Sequence, residues 1–258
     1  MSGRPAPRYA RPSRAEPGFS DELEDRGPGG ARGWLATLLA GIVLAALVLV
    51  LGLLAKSGSL ARADLRVDEH IAAHDRTATL TSLLRGISDL ATPEIVGLGL
   101  MIVIPVILVL ARRRLDAAKV FCMFAGALVL AEIGKKLINE HRPPSALWAM
   151  TPDSGASYPS GHVTVAAVLT IALIAIAVTW AGRAAALVLG GLFTVAVAVS
   201  RVYLADHYPA DVLGSILCAL AAALIVTGLA AMPALQPHLR RLDARGRRGR
   251  LRGVQPPE

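Results

Sequence analysis

Aromatic side chains are scarce in this chain of 258 residues, at 4%, and there are only two cysteines, Cys122 and Cys218, each inside an apolar run. Two thiols so placed supply neither a disulfide framework nor a four-ligand zinc site, and both read as small buried hydrophobes. Charged residues are held to 18% while hydrophobic ones reach 54%, with a mean hydropathy of +0.53. That balance argues against a soluble two-domain enzyme, because long runs of Ala, Leu, Val and Ile with few aromatics suit helices that face lipid. There is no Walker loop, no Gly-x-Gly-x-x-Gly after a strand, no Gly-x-Ser-x-Gly elbow and no clear repeat. The net charge is +8, but the basic residues sit at the ends and in short loops without interleaved aromatics, so no nucleic-acid partner is expected.

What the sequence has in quantity is apolar length. Runs near the roughly 20 residues that cross about 30 Å of hydrocarbon fall at 34–55, 95–111, 117–138, 163–180, 184–204 and 212–231. They predict an all-α protein, a six-transmembrane-helix bundle over 34–231. Residues 1–33, rich in Pro, Gly and charge, read as a disordered tail, and 232–258 as a basic tail. Ala61-Arg62-Ala63 resembles a signal-peptide cleavage site, yet the apolar run before it is longer than a signal peptide's. Arg112, Arg113 and Arg114 follow the second span, Arg183 the fourth and an arginine-rich tail the sixth. Positive loops mark the cytoplasmic side, so both termini are expected there, and loops 56–93, 139–162 and 205–211 are expected outside.

Within 56–93, Leu65, Ile71, Leu80, Leu83, Leu84 and Ile87 recur at roughly helical spacing, which predicts an extracytoplasmic interfacial helix between spans one and two. His70 and His74 stand one helical turn apart, with Asp68, Glu69 and Asp75 nearby. The order is not the His-Glu-x-x-His of a zinc protease, and a solvated helix face accounts for the same residues, so no metal is expected.

The remaining unusual residues gather on the outer face. Lys135 and Arg142 are almost two helical turns apart and are expected on one face of a helix that Pro143 stops. Glu132, one turn before Lys135 and Lys136, reads as a structural ion-pair partner in preference to an element of the site. Ser160 is placed to cap the fourth span and Gly161 to let a ligand approach the backbone, at a helix N-terminus that favours anions. His162 in that first turn needs a bound anion to hold a proton against the helix dipole. Ser200-Arg201 ends the fifth span, and His207 precedes Asp211 by one turn, with Pro209 suited to the first turn of the sixth. A carboxylate on one imidazole nitrogen fixes the tautomer and leaves the other as nucleophile or base.

Taken together, Lys135-x6-Arg142-Pro143, Pro159-Ser160-Gly161-His162 and Ser200-Arg201-x5-His207-x3-Asp211 resemble the three-part signature of the type 2 phosphatidic acid phosphatase family, whose superfamily includes the vanadium haloperoxidases. The resemblance covers residues 135–211 without a departure at a signature position. It implies an integral-membrane lipid phosphatase that needs no cofactor. His207 would be the nucleophile that forms a phosphohistidine, Asp211 its orienter, and His162 the acid and then the base. Lys135, Arg142, Ser160, Gly161 and Arg201 would hold the phosphate.

A site at the mouth of a helix bundle suits a lipid phosphate, and the resemblance implies phosphatidate, phosphatidylglycerol phosphate or a polyprenyl diphosphate such as undecaprenyl diphosphate. Leu147, Trp148, Ala149 and Met150 are expected to rest on the membrane surface beside the site. Ala- and Arg-rich usage points to a bacterial plasma membrane, with the site extracytoplasmic. Two rivals stand beside this reading. A haloperoxidase is disfavoured by the spans, and a non-enzymatic phospholipid-binding or transport protein has no need of His162, His207 and Asp211 together.

Overall fold

Every regular element is helical among the residues that this structure, a computed structural model, describes, namely 32–153 and 155–241. The tails expected at 1–33 and 232–258 therefore fall largely outside the described residues. The order is α1 (Gly33–Ala55), α2 (Gly58–His74), α3 (Ala78–Asp89), a π-helical turn (Pro93–Gly97), α4 (Leu98–Leu110), α5 (Arg114–Ile138), a 3₁₀ turn (Ser145–Leu147), α6 (Gly161–Ile176), α7 (Trp180–Tyr203) and α8 (Pro209–Ala231). The all-α class is as the sequence predicts, and each apolar run became one helix within a few residues of its expected ends.

Length separates these helices into two groups. α1, α5, α7 and α8 are long and apolar enough to cross a membrane, whereas α4 and α6 have 13 and 16 residues. At 1.5 Å per residue the shorter pair reach about 20 and 24 Å, less than the roughly 30 Å of a hydrocarbon core. The shortfall has local causes. Thr92 O accepts from both Val96 N and Gly97 N, at 2.8 and 3.1 Å, so the chain before α4 is wound differently from an α-helix. α6 cannot begin before Gly161, because Pro159 and Ser160 belong to the loop that carries the site.

α8 is the hub, packed against α1, α5 and α6. Its inward face is made of small residues, Gly214, Ser215, Ala219, Ala222 and Gly228 among them, which lets neighbouring backbones approach closely. A Cβ on Gly228 would stand 2.7 Å from Leu38 N on α1. Tyr158 enters this close pair from the loop, fully buried, and donates from Oη to Val48 O at 2.5 Å. Gly52 on α1 and Gly214 on α8 leave the room its ring takes, since a Cβ on either would overlap it. Phe124 and Val120 of α5 pack with Val168 of α6 and Ala219 of α8 in the largest apolar cluster. Cys218 lies buried in α8 as expected, but Cys122 is exposed on the outside of α5.

Two expectations for 56–93 are corrected. The segment forms two helices rather than one, broken at Asp75–Thr77, where Thr77 caps α3 by accepting from Leu80 N at 3.2 Å and gives its own N–H to Tyr203 Oη at 3.0 Å. The polar face of α2 is not wholly solvated either: Asp68 is fully buried and Asp64 nearly so. Burial first, then the charges of Asp211 and Asp64, push Asp68 up to about 8, against the smaller opposing pull of Arg76. His70 and His74 stack with ring centroids 4.7 Å apart. Among the described residues, no group of three His, Cys, Asp or Glu is arranged to hold a metal ion.

At one end of the bundle cations close helix C-termini, as their dipoles favour: Arg113 Nη2 donates to Ile176 O at 2.6 Å and Arg183 Nε to Ala177 O at 3.1 Å. The polar loops 139–160 and 204–208 meet at the other end. Gly214→Ala is expected to cost about 1–3 kcal/mol by overpacking, read as a lower Tm in detergent. An unchanged Tm would show that Tyr158 is not wedged between α1 and α8.

Candidate active site

Three pieces of chain converge where α5 ends, α6 begins and α7 turns into α8. α5 stops at Ile138, capped by Asn139 in the left-handed region at φ 48°, with Lys56 Nζ donating to Ile138 O at 2.7 Å. Arg142 therefore lies beyond the helix, and the expectation that it shares a helical face with Lys135 is corrected. It reaches the site from the loop, and its Nη1 donates to Asp206 O at 2.9 Å and Asp206 Oδ1 at 2.6 Å. Lys135 stays on α5, 3.6 Å from Glu132 Oε1 as the sequence reading expected, and its Nζ is 3.9 Å from where a Cβ on Gly161 would stand.

Ser160 occupies the N-cap position of α6, but its hydroxyl makes no cap bond and Oγ is buried without a partner among the described residues. The residue is tied down through its backbone instead, its carbonyl accepting from Thr164 Oγ1 at 2.8 Å and from Ser215 Oγ on α8 at 2.9 Å. His162 is buried in the first turn, with Nδ1 3.4 Å from Asp153 Oδ2.

The third piece is a tight corner. Ala205 takes a positive φ of 54°, which brings Asp206 N and His207 N onto Arg201 O at 3.1 and 3.3 Å. α8 then starts with Pro209, and Asp211 Oδ2 accepts from Tyr208 N at 2.9 Å, from Ser157 Oγ at 2.5 Å and from His207 Nδ1 at 3.2 Å. With Nδ1 turned to Asp211, Nε2 faces the other side of the ring. It is 3.4 Å from Arg142 Nη1 and 3.3 Å from Asp206 Oδ2. Burial, then the positive charges of Arg201 and Arg142, hold His207 well below the ordinary imidazole range, so the ring is neutral.

Arg201 is 1% exposed. Its Nη1 donates to Ser88 Oγ at 2.5 Å, its Nη2 to Asp153 Oδ2 at 2.7 Å, and it pairs with Asp206. Burial alone would raise Asp153, but Arg201, His162 and Arg142 outweigh it and hold the carboxyl below its usual range. The structure thus brings His162, Arg142, Arg201, His207 and Asp211 into one network, with Lys135, Ser160 and Gly161 at the adjoining helix N-terminus.

Sequence reading missed Ser88, Asp153, Ser157 and Asp206. Only Asp206 carried a signal, as an acid beside His207 in a short loop. Residues 147–150, expected on a membrane surface, do not all face outward. Trp148 is 40% exposed, with Nε1 donating to Pro143 O at 2.7 Å. Ala149 and Met150 instead turn inward onto Leu84, Tyr203 and Leu204.

Comparison with known proteins agrees with this geometry. Residues 116–232 match the PAP2 superfamily. An undecaprenyl-diphosphatase of Sulfolobus acidocaldarius is 30% identical over 112 residues, covering 42% of this chain and 52% of that one, so the match spans about half the length of the relative. The crystal structure of a transmembrane PAP2-type phosphatidylglycerolphosphate phosphatase from Bacillus subtilis has the same fold, with a TM-score of 0.63 at 24% identity over 73% of this chain and 94% of that chain. The matched stretch holds all three motifs in order on that fold, and over residues 116–232 the chain carries a PAP2 superfamily domain.

Proposed function

We propose that this chain is a metal-independent phosphatase of membrane lipid phosphates that works through a phosphohistidine on His207. The observation that carries the reading is the His207 ring itself: neutral, oriented through Nδ1 by Asp211, and turning Nε2 towards Arg142.

Nε2 of His207 attacks phosphorus in line, the bond to the leaving oxygen breaks, and His162 gives that oxygen its proton. Asp211 takes up the positive charge that develops on His207. His162, now neutral, removes a proton from water, the hydroxide displaces the histidine from phosphorus, and inorganic phosphate leaves with both rings restored. The phosphate supplies the negative charge that keeps His162 protonated at a helix N-terminus. Arg142, Arg201, Lys135 and the backbone at Ser160 and Gly161 balance the three equatorial oxygens, so positioning and charge do the work that a metal does elsewhere. Arg201 and His162 meet Asp153 in this structure, and a phosphate bound on the same two groups displaces that carboxylate.

The six apolar helices are read as six spans, α4 and α6 being short because the chain around them serves the site. Capped by Arg113 and Arg183, the far end of the bundle is the cytoplasmic one, with both termini, and the site faces outward at a bacterial plasma membrane. A lipid phosphate fits a site at that level, its headgroup among the arginines and its tails in the bilayer. The names of the two relatives favour a polyprenyl diphosphate or phosphatidylglycerol phosphate, with phosphatidate as the third candidate.

Phosphate release from these three lipids by purified protein in detergent with EDTA tests the chemistry. Turnover should survive chelation and fall by about 10³-fold or more in His207→Ala, with lipid affinity largely kept; unchanged turnover in that variant overturns the mechanism, and wild-type binding without release leaves a lipid-binding protein. Asp153→Asn should tighten inhibition by inorganic phosphate by about tenfold, the size of one lost charge-assisted competitor, and weaker inhibition would place phosphate elsewhere. For topology, in a Cys122→Ser, Cys218→Ala background, an impermeant thiol reagent should label intact cells carrying Ser145→Cys and miss Arg112→Cys. The reverse pattern would put the site in the cytoplasm.

A further inference from the structure

Asp211 uses only one of its two oxygens in the network above. Among the described residues its Oδ1 is buried without a partner, and so is Oε2 of Glu140. Ser157 joins the two residues, its N–H donating to Glu140 O at 2.9 Å and its Oγ to Asp211 Oδ2 at 2.5 Å, and the Asp211 carboxyl acts directly on that of Glu140. Two carboxylates so placed repel, and each leaves a buried oxygen unsatisfied, whereas one proton between them removes both penalties. We propose that Glu140 is a positioning residue that holds a proton and donates it in a hydrogen bond to Asp211 Oδ1, leaving Oδ2 of Asp211 ionised and fixed against His207 Nδ1.

The surroundings of Glu140 decide which carboxyl keeps the proton. Asp211 Oδ2 has three donors, from Ser157, Tyr208 and His207, all of which favour its charged form. Glu140 is 7% exposed and faces Asp211 on α8 and Asp64 on α2. Lys56, whose ammonium donates to Ile138 O at 2.7 Å, is the cation that pulls the other way, and Arg62 lines the same cavity. Tyr158 and Tyr208 are close enough to feel its charge. Burial first, then Asp211 and Asp64, against a smaller pull from Lys56, push Glu140 up to about 8. A cavity of about 310 Å³, lined by Lys56, Arg62, Asp64, Glu140, His141 and Tyr208, gives the proton a path to water.

Glu140 also supports the same carboxylate through its backbone, since its carbonyl accepts from Ser157 N at 2.9 Å and Ser157 Oγ bonds Asp211. Substitution of the side chain leaves that second support in place.

The inference rests on His207 and Asp211 acting as nucleophile and orienter, and two measurements keep its failure apart from theirs. The first needs no substrate: infrared difference spectra of the full-length protein in detergent, taken on either side of pH about 8. Beside the band of Asp68, which titrates in the same range, a second protonated-carboxyl component should be present below that pH, vanish above it, and be missing from Glu140→Gln. Identical bands in wild type and variant overturn the inference whether or not the protein turns over lipid.

The second is a pH profile of kcat and KM on whichever lipid phosphate is hydrolysed. As pH rises through about 8, Glu140 loses its proton and the donor becomes a repelling charge, so wild-type kcat should fall. The amide of Glu140→Gln still donates, and its alkaline limb should move up by about one pH unit or more. Glu140→Ala should lose about tenfold or more in kcat with little change in KM. Superimposable alkaline limbs in wild type and Gln variant, or an Ala variant that matches the Gln one, overturn the role of Glu140 and leave His207 standing.

Discussion

Burying charge at the end of a helix bundle is the constraint on which this structure turns. Arg201, Asp206, His207 and Asp211 are each 1% exposed or less. An ion so placed costs several kcal/mol unless it is paired and hydrogen-bonded. Asp206 answers by serving Arg142 and Arg201 at once, Ser88 reaches Arg201 from α3, and Ser157 and Tyr208 N fill the oxygen of Asp211 that faces His207. These partners come from three segments: α3, the loop at 157 and the corner at 206–208. The docking of α3 on α7 and the path of the loop through 153–157 are therefore requirements of the charge network as much as of apolar packing.

Small residues make such a network possible. α8 carries the orienting carboxylate at its first turn and glycines and alanines along its inward face, so α1, α5 and α6 can all approach it. Tyr158 uses the gap between Gly52 and Gly214 to pin the loop that continues into Ser160, Gly161 and His162. Packing at one level of the bundle thereby fixes the position of a helix N-terminus at another. The outward faces of α1, α4 and α7 carry large exposed apolar side chains such as Leu53, Ile107 and Leu189, as helices in lipid do.

The acidic residues behind Asp211 form a second layer. Asp64, Asp68 and Glu140 crowd the side of Asp211 turned away from His207, where like charges cannot all be tolerated. Burial pushes all three up, whereas Asp211 Oδ2 has donors from Ser157, Tyr208 and His207. The site is thus cationic on the side of Arg142 and Arg201 and acidic on the other, with the His207 ring between the two.

The apolar runs, the all-helical class and the three motifs were legible in the chain because each is local: a run of twenty residues, a helix start, an acid one turn from a histidine. Even the pairing of Glu132 with Lys135 follows from spacing on one helix. The sequence erred where a local rule was carried past its range, as in extending α5 through Arg142, when a left-handed Asn139 ends it. It likewise assigned Asp68 to water, since a charged residue on an amphipathic helix looks the same whether that face meets solvent or another helix. Ser88 to Arg201 spans 113 residues, Ser157 to Asp211 spans 54 and Asp153 to Arg201 spans 48. Which residues could do chemistry was set by the sequence alone; which acid each cation meets, and which carboxyl keeps its proton, was decided by tertiary structure, because pairing and desolvation depend on neighbours that only packing brings together.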